Sequence, residues 1–278
     1  MKIFLGPAGV PISSKDRSTI GGIKQVSNLK LSAFECEFVR GVNMSLEMAK
    51  EVGSTAKELN IKLSIHAPYA INLSSADKKV VEASKKRIFD SCLRANEMNA
   101  WIVVFHPGYY SGLPSEKAFE AVKLACEDLV DRMKTQGIKN VLLGLETTGR
   151  VSQFGTLDEL VRFCKETKCC VPAVDPAHMF ARQAGRINYE EIFDKLKPLK
   201  LEHIHIHFSS VKWRPVKATG TGNEWYHMEI KNEQPPFEPL AKEILKRKLD
   251  MTIISESPVL EQDSLAMKKV FEKLNYKF

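Results

Sequence analysis

The chain has 278 residues, 44% hydrophobic and 27% charged, with a formal net charge of +7 and a pI near 9.0. That length suits one α/β barrel, and no apolar run approaches the ~20 residues a membrane span needs, so no membrane association is expected. No basic-apolar leader precedes the first strand-like run, and the six cysteines show no CxxC spacing, so a reduced, cytoplasmic protein is expected.

Strand-like and helical stretches then alternate. Lys2–Gly6 reads as a strand, Ser18–Asn28 as a short helix, and Leu31–Phe38, with AFECEF at its centre, as the second strand. Ser45–Asn60 carries Leu46, Ala49 and Val52 at helical spacing behind Ser45 as N-cap. Lys62–His66 and Trp101–Phe105 are the third and fourth strands, with a long helix over Ala76–Met98 between them. Ser115–Thr135 is helical, with Ser115 as expected cap and Ala118 and Val122 facing inward. Asn140–Glu146 is the fifth strand, and in the following helix, Thr156–Thr167, Thr156 and Glu159 have capping-box spacing. Val171–Asp175, Leu201–His207 and Met251–Glu256 complete the strands, with helices over Tyr189–Leu196, Phe237–Arg247 and Asp263–Leu274. Cys169 and Cys170, adjacent just before the sixth strand, are expected to pack rather than to ligate.

Eight strand–helix units without a composition break predict an α/β fold, one (β/α)8 TIM barrel over residues 1–278. An open doubly wound sheet would show a glycine-rich phosphate loop after its first strand; GPAGVP is not GxGxxG, and no nucleotide cofactor is expected.

In such a barrel the C-terminal strand ends share one mouth, where active sites sit. Here the third to fifth strands end in His66, His106 and Glu146, and the sixth in Asp175 with His178 three residues on. In LEHIHIH, His203, His205 and His207 share a face, with His203 deep enough to be structural; the eighth strand ends in Glu256. Taken singly, each has a plain structural reading: a bonded core histidine, a salt-bridge partner, a helix cap. Their joint occurrence at six successive strand ends points to a metal site. Imidazoles and carboxylates without thiolates suit Zn2+, with Mn2+ or Fe2+ as second choices. The set exceeds what one zinc uses, so a cluster sharing a carboxylate is expected, the arrangement of metal-assisted phosphoester hydrolysis.

At these residues the sequence resembles the endonuclease IV family of zinc-dependent abasic-site endonucleases, in its archaeal-type branch. The matching segments are HAPYAINL at His66, FHPG at His106, LETTG at Glu146, DPAH at Asp175, HIHFSS at His205 and SESP at Glu256, in the family's order. The resemblance implies two to three zinc ions per chain: one on His66, His106 and Glu146; a second sharing Glu146 and adding Asp175, His205 and Glu256; a third on His178 and His227. Glu146 would bridge the first pair and position a metal-bound hydroxide as nucleophile. His207 is the reserve for His205, one pleat away. The family's third zinc also uses an aspartate two residues before the loop histidine; Trp225 stands there, and the adjacent Glu224 is the substitute considered.

The activity so implied is a DNA-repair hydrolysis of the phosphodiester 5′ to an abasic site in double-stranded DNA, leaving a 3′-hydroxyl, by a monomer. Tyr69 matches a family residue that penetrates DNA, Ala70 replaces its bulky neighbour, and Arg40 is a second probe; as a bland alternative Tyr69 is a barrel-rim aromatic. Lys15, Arg17, Arg40, Arg150, Arg182, Lys212, Arg214 and Lys217 fall in mouth loops that would grip phosphates, although a basic protein has basic loops anyway. Trp213 and Trp225 could stack on bases or anchor their loop. Two rivals remain: a metal-dependent sugar isomerase or epimerase of the xylose isomerase-like barrels, and a non-catalytic binder of damaged DNA.

Overall fold

The computed structural model describes residues 1–167 and 170–278; Cys169 therefore lies outside the described residues. The strands are β1 (Ile3–Pro7), β2 (Ala33–Glu37), β3 (Lys62–His66), β4 (Ile102–Phe105), β5 (Leu142–Glu146), β6 (Cys170–Val174), β7 (His203–Phe208), β8 (Ser210–Val216), β9 (Thr221–Met228) and β10 (Asp250–Ser255). The helices are α1 (Thr19–Asn28), α2 (Leu46–Glu58), α3 (Lys78–Met98), α4 (Ser115–Thr135), α5 (Leu157–Thr167), α6 (Pro176–Arg182), α7 (Tyr189–Leu196), α8 (Phe237–Arg247) and α9 (Glu261–Lys273). Eight strands form one parallel sheet in the order β1-β10-β7-β6-β5-β4-β3-β2. Its two ends meet where Ser32 N donates to Leu5 O at 3.0 Å and Gly9 N donates to Glu35 O at 2.9 Å. Gly6 makes that approach possible, because a Cβ there would collide with the Ala33 carbonyl. The result is the expected (β/α)8 barrel. No helix among the described residues is long and apolar enough to cross a membrane.

Strand alternation divides the side chains. Phe34 and Cys36 on β2, Leu63 and Ile65 on β3, Leu143 and Leu145 on β5, and Ile204 and Ile206 on β7 pack outward in the shell between sheet and helices. Apolar side chains inside the barrel are few; Ile102, Val104 and Ala173 form one small cluster. The rest of the interior is largely polar, and that departure from a packed apolar core marks where function sits.

Helix starts follow local chemistry. Ser45 caps α2 by accepting from Met48 N at 3.1 Å. The capping box at α5 is formed: Thr156 N donates to Glu159 Oε2 at 2.9 Å and Glu159 N to Thr156 Oγ1 at 3.3 Å. Thr156→Ala should therefore cost about 1 kcal/mol, read as a lower urea midpoint at unchanged slope. At α4 the expectation is corrected: Pro114 is the N-cap, with no side-chain cap bond, and Ser115 is the first helical residue. Proline's fixed φ sets the chain's entry there.

Two features go beyond the sequence pattern. Asp175, Pro176 and His178 open the short helix α6, with Asp175 Oδ1 accepting from His178 N at 2.8 Å. The long loop after β7 is an antiparallel hairpin, β8–β9, folded over the mouth.

Candidate metal centre

Glu146, at the end of β5 and fully buried, is the hub. Its Oε2 lies 3.1 Å from His66 Nε2 and 3.0 Å from His106 Nε2. Its Oε1 lies 3.2 Å from His178 Nδ1 and 3.2 Å from His207 Nδ1. One carboxylate thus faces two imidazoles with each oxygen. Glu256 Oε1 is 3.1 Å from His207 Nδ1, and Asp175 Oδ2, buried, has no hydrogen-bond partner. Among the described residues five groups of side chains bring ligand atoms close enough for one ion each; three lie at the mouth: His66, His106 and Glu146; Glu146, Asp175, His178 and Glu256; and His178, His227 and Glu256.

Several rings are held from behind. His66 Nδ1 donates to Ala67 O at 2.7 Å, which orients the ring and turns Nε2 toward Glu146. His178 Nδ1 lies 2.9 Å from Thr147 O and so turns Nε2 toward the hairpin, and Ser209 Oγ holds His227 Nδ1 at 2.8 Å. Among the described residues no lysine or arginine nitrogen pairs with Glu146, Asp175 or Glu256; their ion-pair partners are imidazoles. Buried anions without fixed cations require protons or metal ions. Without an ion, the groups hold one another. Burial alone would push the Glu256 carboxyl up, but the neighbouring His207 holds it down at about 2. Burial likewise opposes charge on His66, yet the Glu146 hydrogen bond and the charges of Glu37 and Glu256 raise it to about 10. His207 is raised well above its usual value by Glu256, Glu35 and Glu146, against its burial.

The expected site residues fall as follows. His66, His106, Glu146, Asp175, His178, His227 and Glu256 converge. His205 does not reach Glu146 or Glu256; His207, its reserve, does. The reason is barrel tilt. The register pairs Glu146 with Ala173, Ala173 with His205, and His205 with Thr252. At constant height around an eight-stranded barrel the level residue advances about one position per strand, so two strands on from Glu146 it is His207. His205 sits one pleat deeper, its Nε2 2.9 Å from Glu35 Oε2. His203, deeper again, contacts Thr252 Oγ1 at 2.8 Å and stacks edge-on against Trp101.

Glu224 faces both remaining histidines: its Oε2 is 3.5 Å from His178 Nε2 and its Oε1 3.7 Å from His227 Nε2. Regular alternation would place residues three apart on opposite faces of β9. A bulge prevents this: Val211 pairs with His227 and Lys212 with Tyr226, but Trp213 pairs with Glu224, leaving Trp225 over. Trp225 turns outward, with the Arg214 guanidinium 3.7 Å above its ring. Glu224 N donates to Gly149 O at 2.9 Å, and a Cβ at Gly149 would meet the Glu224 Cβ at 2.7 Å, so that glycine seats the hairpin.

Two further carboxylates lie outside the set expected from strand ends. Glu35 and Glu37 point into the barrel from β2. Their signal is present in AFECEF, where glutamates alternate with Phe34, Cys36 and Phe38; a strand so buried on one face has its other face in the barrel.

The cavity above the cluster holds about 300 Å³ and is lined by Tyr69, Tyr109, Arg150, Gln153 and the ligand side chains. Tyr69 is 60% exposed, its ring 5.6 Å from that of His66. Arg40 is exposed in the turn after β2. Of the basic loop residues, Arg182 is occupied by Thr148 Oγ1 and Gln153 O at 2.9 Å each.

Fold and site together define a (β/α)8 barrel with a histidine–carboxylate centre at its C-terminal strand ends. The xylose isomerase-like TIM barrel model matches residues 23–274, and the chain belongs to that family. The uncharacterized protein MJ0133 of Methanocaldococcus jannaschii is 31% identical over 280 residues, 98% of each chain. A protein of Mycoplasma mobile named "Probable endonuclease 4" is 24% identical over 219 residues, 74% of this chain and 72% of its own. A solved D-tagatose 3-epimerase-like structure has a TM-score of 0.73 at 20% identity, over 98% of this chain and 96% of its own, a likeness of fold.

Proposed function

We propose that this protein is a metal-dependent DNA-repair endonuclease that hydrolyses the phosphodiester 5′ to an abasic site in duplex DNA and leaves a 3′-hydroxyl. The observation that carries the reading is Glu146, whose two oxygens each face two imidazoles, as a carboxylate shared by two ions must. His66, His106 and Glu146 would hold one ion; Glu146, Asp175, His207 and Glu256 a second; His178, His227 and Glu224 a third. The orphaned Asp175 Oδ2 and the oriented histidine rings fit such ions. Zinc suits the donor set, with Mn2+ or Fe2+ compatible. Bound divalent ions would neutralise the phosphodiester, acidify a water and stabilise the leaving oxygen.

The chain's own residues do the rest. Arg150 in the cavity wall would offer a cation to a flanking phosphate, as would Arg40, exposed in the turn after β2. Tyr69, exposed beside His66, would occupy the gap of a missing base. Nothing in this arrangement requires more than one barrel per DNA site, so a monomer suffices. The open-mouthed cavity of about 300 Å³ would also accept a monosaccharide, which keeps a sugar isomerase or epimerase as the second reading.

The deciding experiment incubates the zinc-loaded protein with an end-labelled duplex bearing one abasic site, with the intact duplex, and with ketoses. Scission confined to the abasic strand, on its 5′ side, supports the repair reading. Ketose turnover without scission replaces it by the isomerase, and binding of the abasic duplex without scission by a damage-binding protein. Within the repair reading, Glu224→Gln should weaken the third ion by about tenfold or more while sparing the other two, measured by competition with a zinc chelator.

A further inference from the structure

We propose that Glu35, His205 and His207 form a closed inner subsite for one additional divalent ion, zinc by its donor set, beneath the ligands of the mouth. Glu35 Oε2 is 2.9 Å from His205 Nε2, Glu35 Oε1 is 2.8 Å from His207 Nε2, and the two Nε2 atoms are 3.1 Å apart. Three ligands at the ~2.0–2.1 Å of zinc–nitrogen and zinc–oxygen bonds stand about 3.0–3.4 Å from one another, so the tripod is close to the size of an ion. Hydrogen bonds satisfy only part of it. His205 Nε2 is at hydrogen-bond distance from Glu35 Oε2, and where only one of the two Nε2 atoms carries a proton the other presents a lone pair to a carboxylate oxygen. Glu35 Oε1 is in fact buried without an acceptable hydrogen bond, although His207 Nε2 is near. A cation between the three side chains satisfies these atoms at once.

The subsite is sealed: Glu35 and His207 are 0% exposed and His205 1%. Trp101, its ring 5.6 Å from that of His205, closes it from below. No substrate reaches such an ion. Its work is to balance Glu35, which no lysine or arginine among the described residues does, and to fix the plane of His207. His207 presents Nε2 to this subsite and Nδ1 to Glu146 and Glu256. With ions on both sides it is an imidazolate, its ring proton released to solvent. The subsite is independent of the reaction assigned to the mouth.

The test is an anomalous difference map at the zinc edge from crystals of the wild-type chain grown with Zn2+. The expected result is a peak about 2.0–2.1 Å from His205 Nε2, His207 Nε2 and a Glu35 oxygen. Zinc per chain should also fall by one in Glu35→Gln. No peak at the tripod overturns the proposal, and peaks at Glu146, Asp175 and Glu256 alone do so while leaving the mouth reading intact. A peak at the tripod alone supports the inner subsite and removes the mouth ions. Because the map uses the wild-type chain, its outcome stands even where Glu35→Gln fails to fold.

Discussion

Glu146→Gln is expected to lower scission of the abasic duplex by about 1,000-fold or more, equivalent to about 4 kcal/mol of transition-state stabilisation. The side chain keeps its size, so the barrel should remain folded by circular dichroism. What changes is the chemistry of one atom. A glutamine presents an oxygen to one imidazole pair and an NH2 to the other, His66 and His106 or His178 and His207. An amide hydrogen takes no part in holding a cation, and at a fully buried position no water replaces the lost oxygen. The charge also goes, leaving imidazoles that Glu146 had balanced; breaking a buried pair from one side costs about 3–5 kcal/mol. Metal content should fall with activity, by at least one ion per chain. Scission within tenfold of wild type, at full metal content, would remove Glu146 from the centre of the mechanism.

Much of this arrangement is legible in the sequence, because a parallel barrel converts order along the chain into position around a ring. His66, His106, Glu146, Asp175 and Glu256 lie near the ends of apolar runs, and the fold brings such ends together whatever their separation. The choice between His205 and His207 is not legible. It depends on strand tilt, which no local pattern encodes, and two histidines on one face fit the alternation equally well. Glu35 and Glu37 are readable in principle, but they lie within and at the end of a strand whose apolar alternation gives no separate sign of a ligand. Glu224 stands out in the sequence only as the neighbour of Trp225; its approach to His178 and His227 comes from the bulge there, a feature of strand pairing rather than of spacing. The cap of α4 fails for a similar reason: Ser115 and Pro114 both mark a helix start, and the proline's fixed φ decides the boundary.

Stripping the metal ions should destabilise the fold, and the loss should grow as pH rises. The interior holds Glu35, Glu146, Asp175 and Glu256 with imidazoles as their ion-pair partners, and Glu37 beside them without one among the described residues. In the ion-free chain, protons on His66, His178 and His207, each raised by the carboxylates beside it, supply the positive charge. His66 is held at about 10 in the folded chain, against a burial that alone would lower it. A folded-state pKa above the unfolded value of about 6.5 contributes stability that is complete below pH ~6.5 and is lost as pH climbs through about 10. Glu37 acts in the same direction: burial pushes its carboxyl up to about 8, so folding binds its proton and weakens from pH ~4.5 upward through 8. Glu256, held down at about 2, loses its contribution only in strong acid, outside this window. The metal-loaded chain behaves oppositely, because an ion needs the neutral imidazole and binds more tightly as protons leave. Each ion adds about 4 kcal/mol when free metal stands at 1,000 times its dissociation constant. Urea midpoints with zinc and with a chelator should therefore separate by a clear margin at pH 6 and by more at pH 7.5 and 9. Coincident curves at all three values would mean that protons alone balance these carboxylates, and that the centre holds no ion in the folded protein.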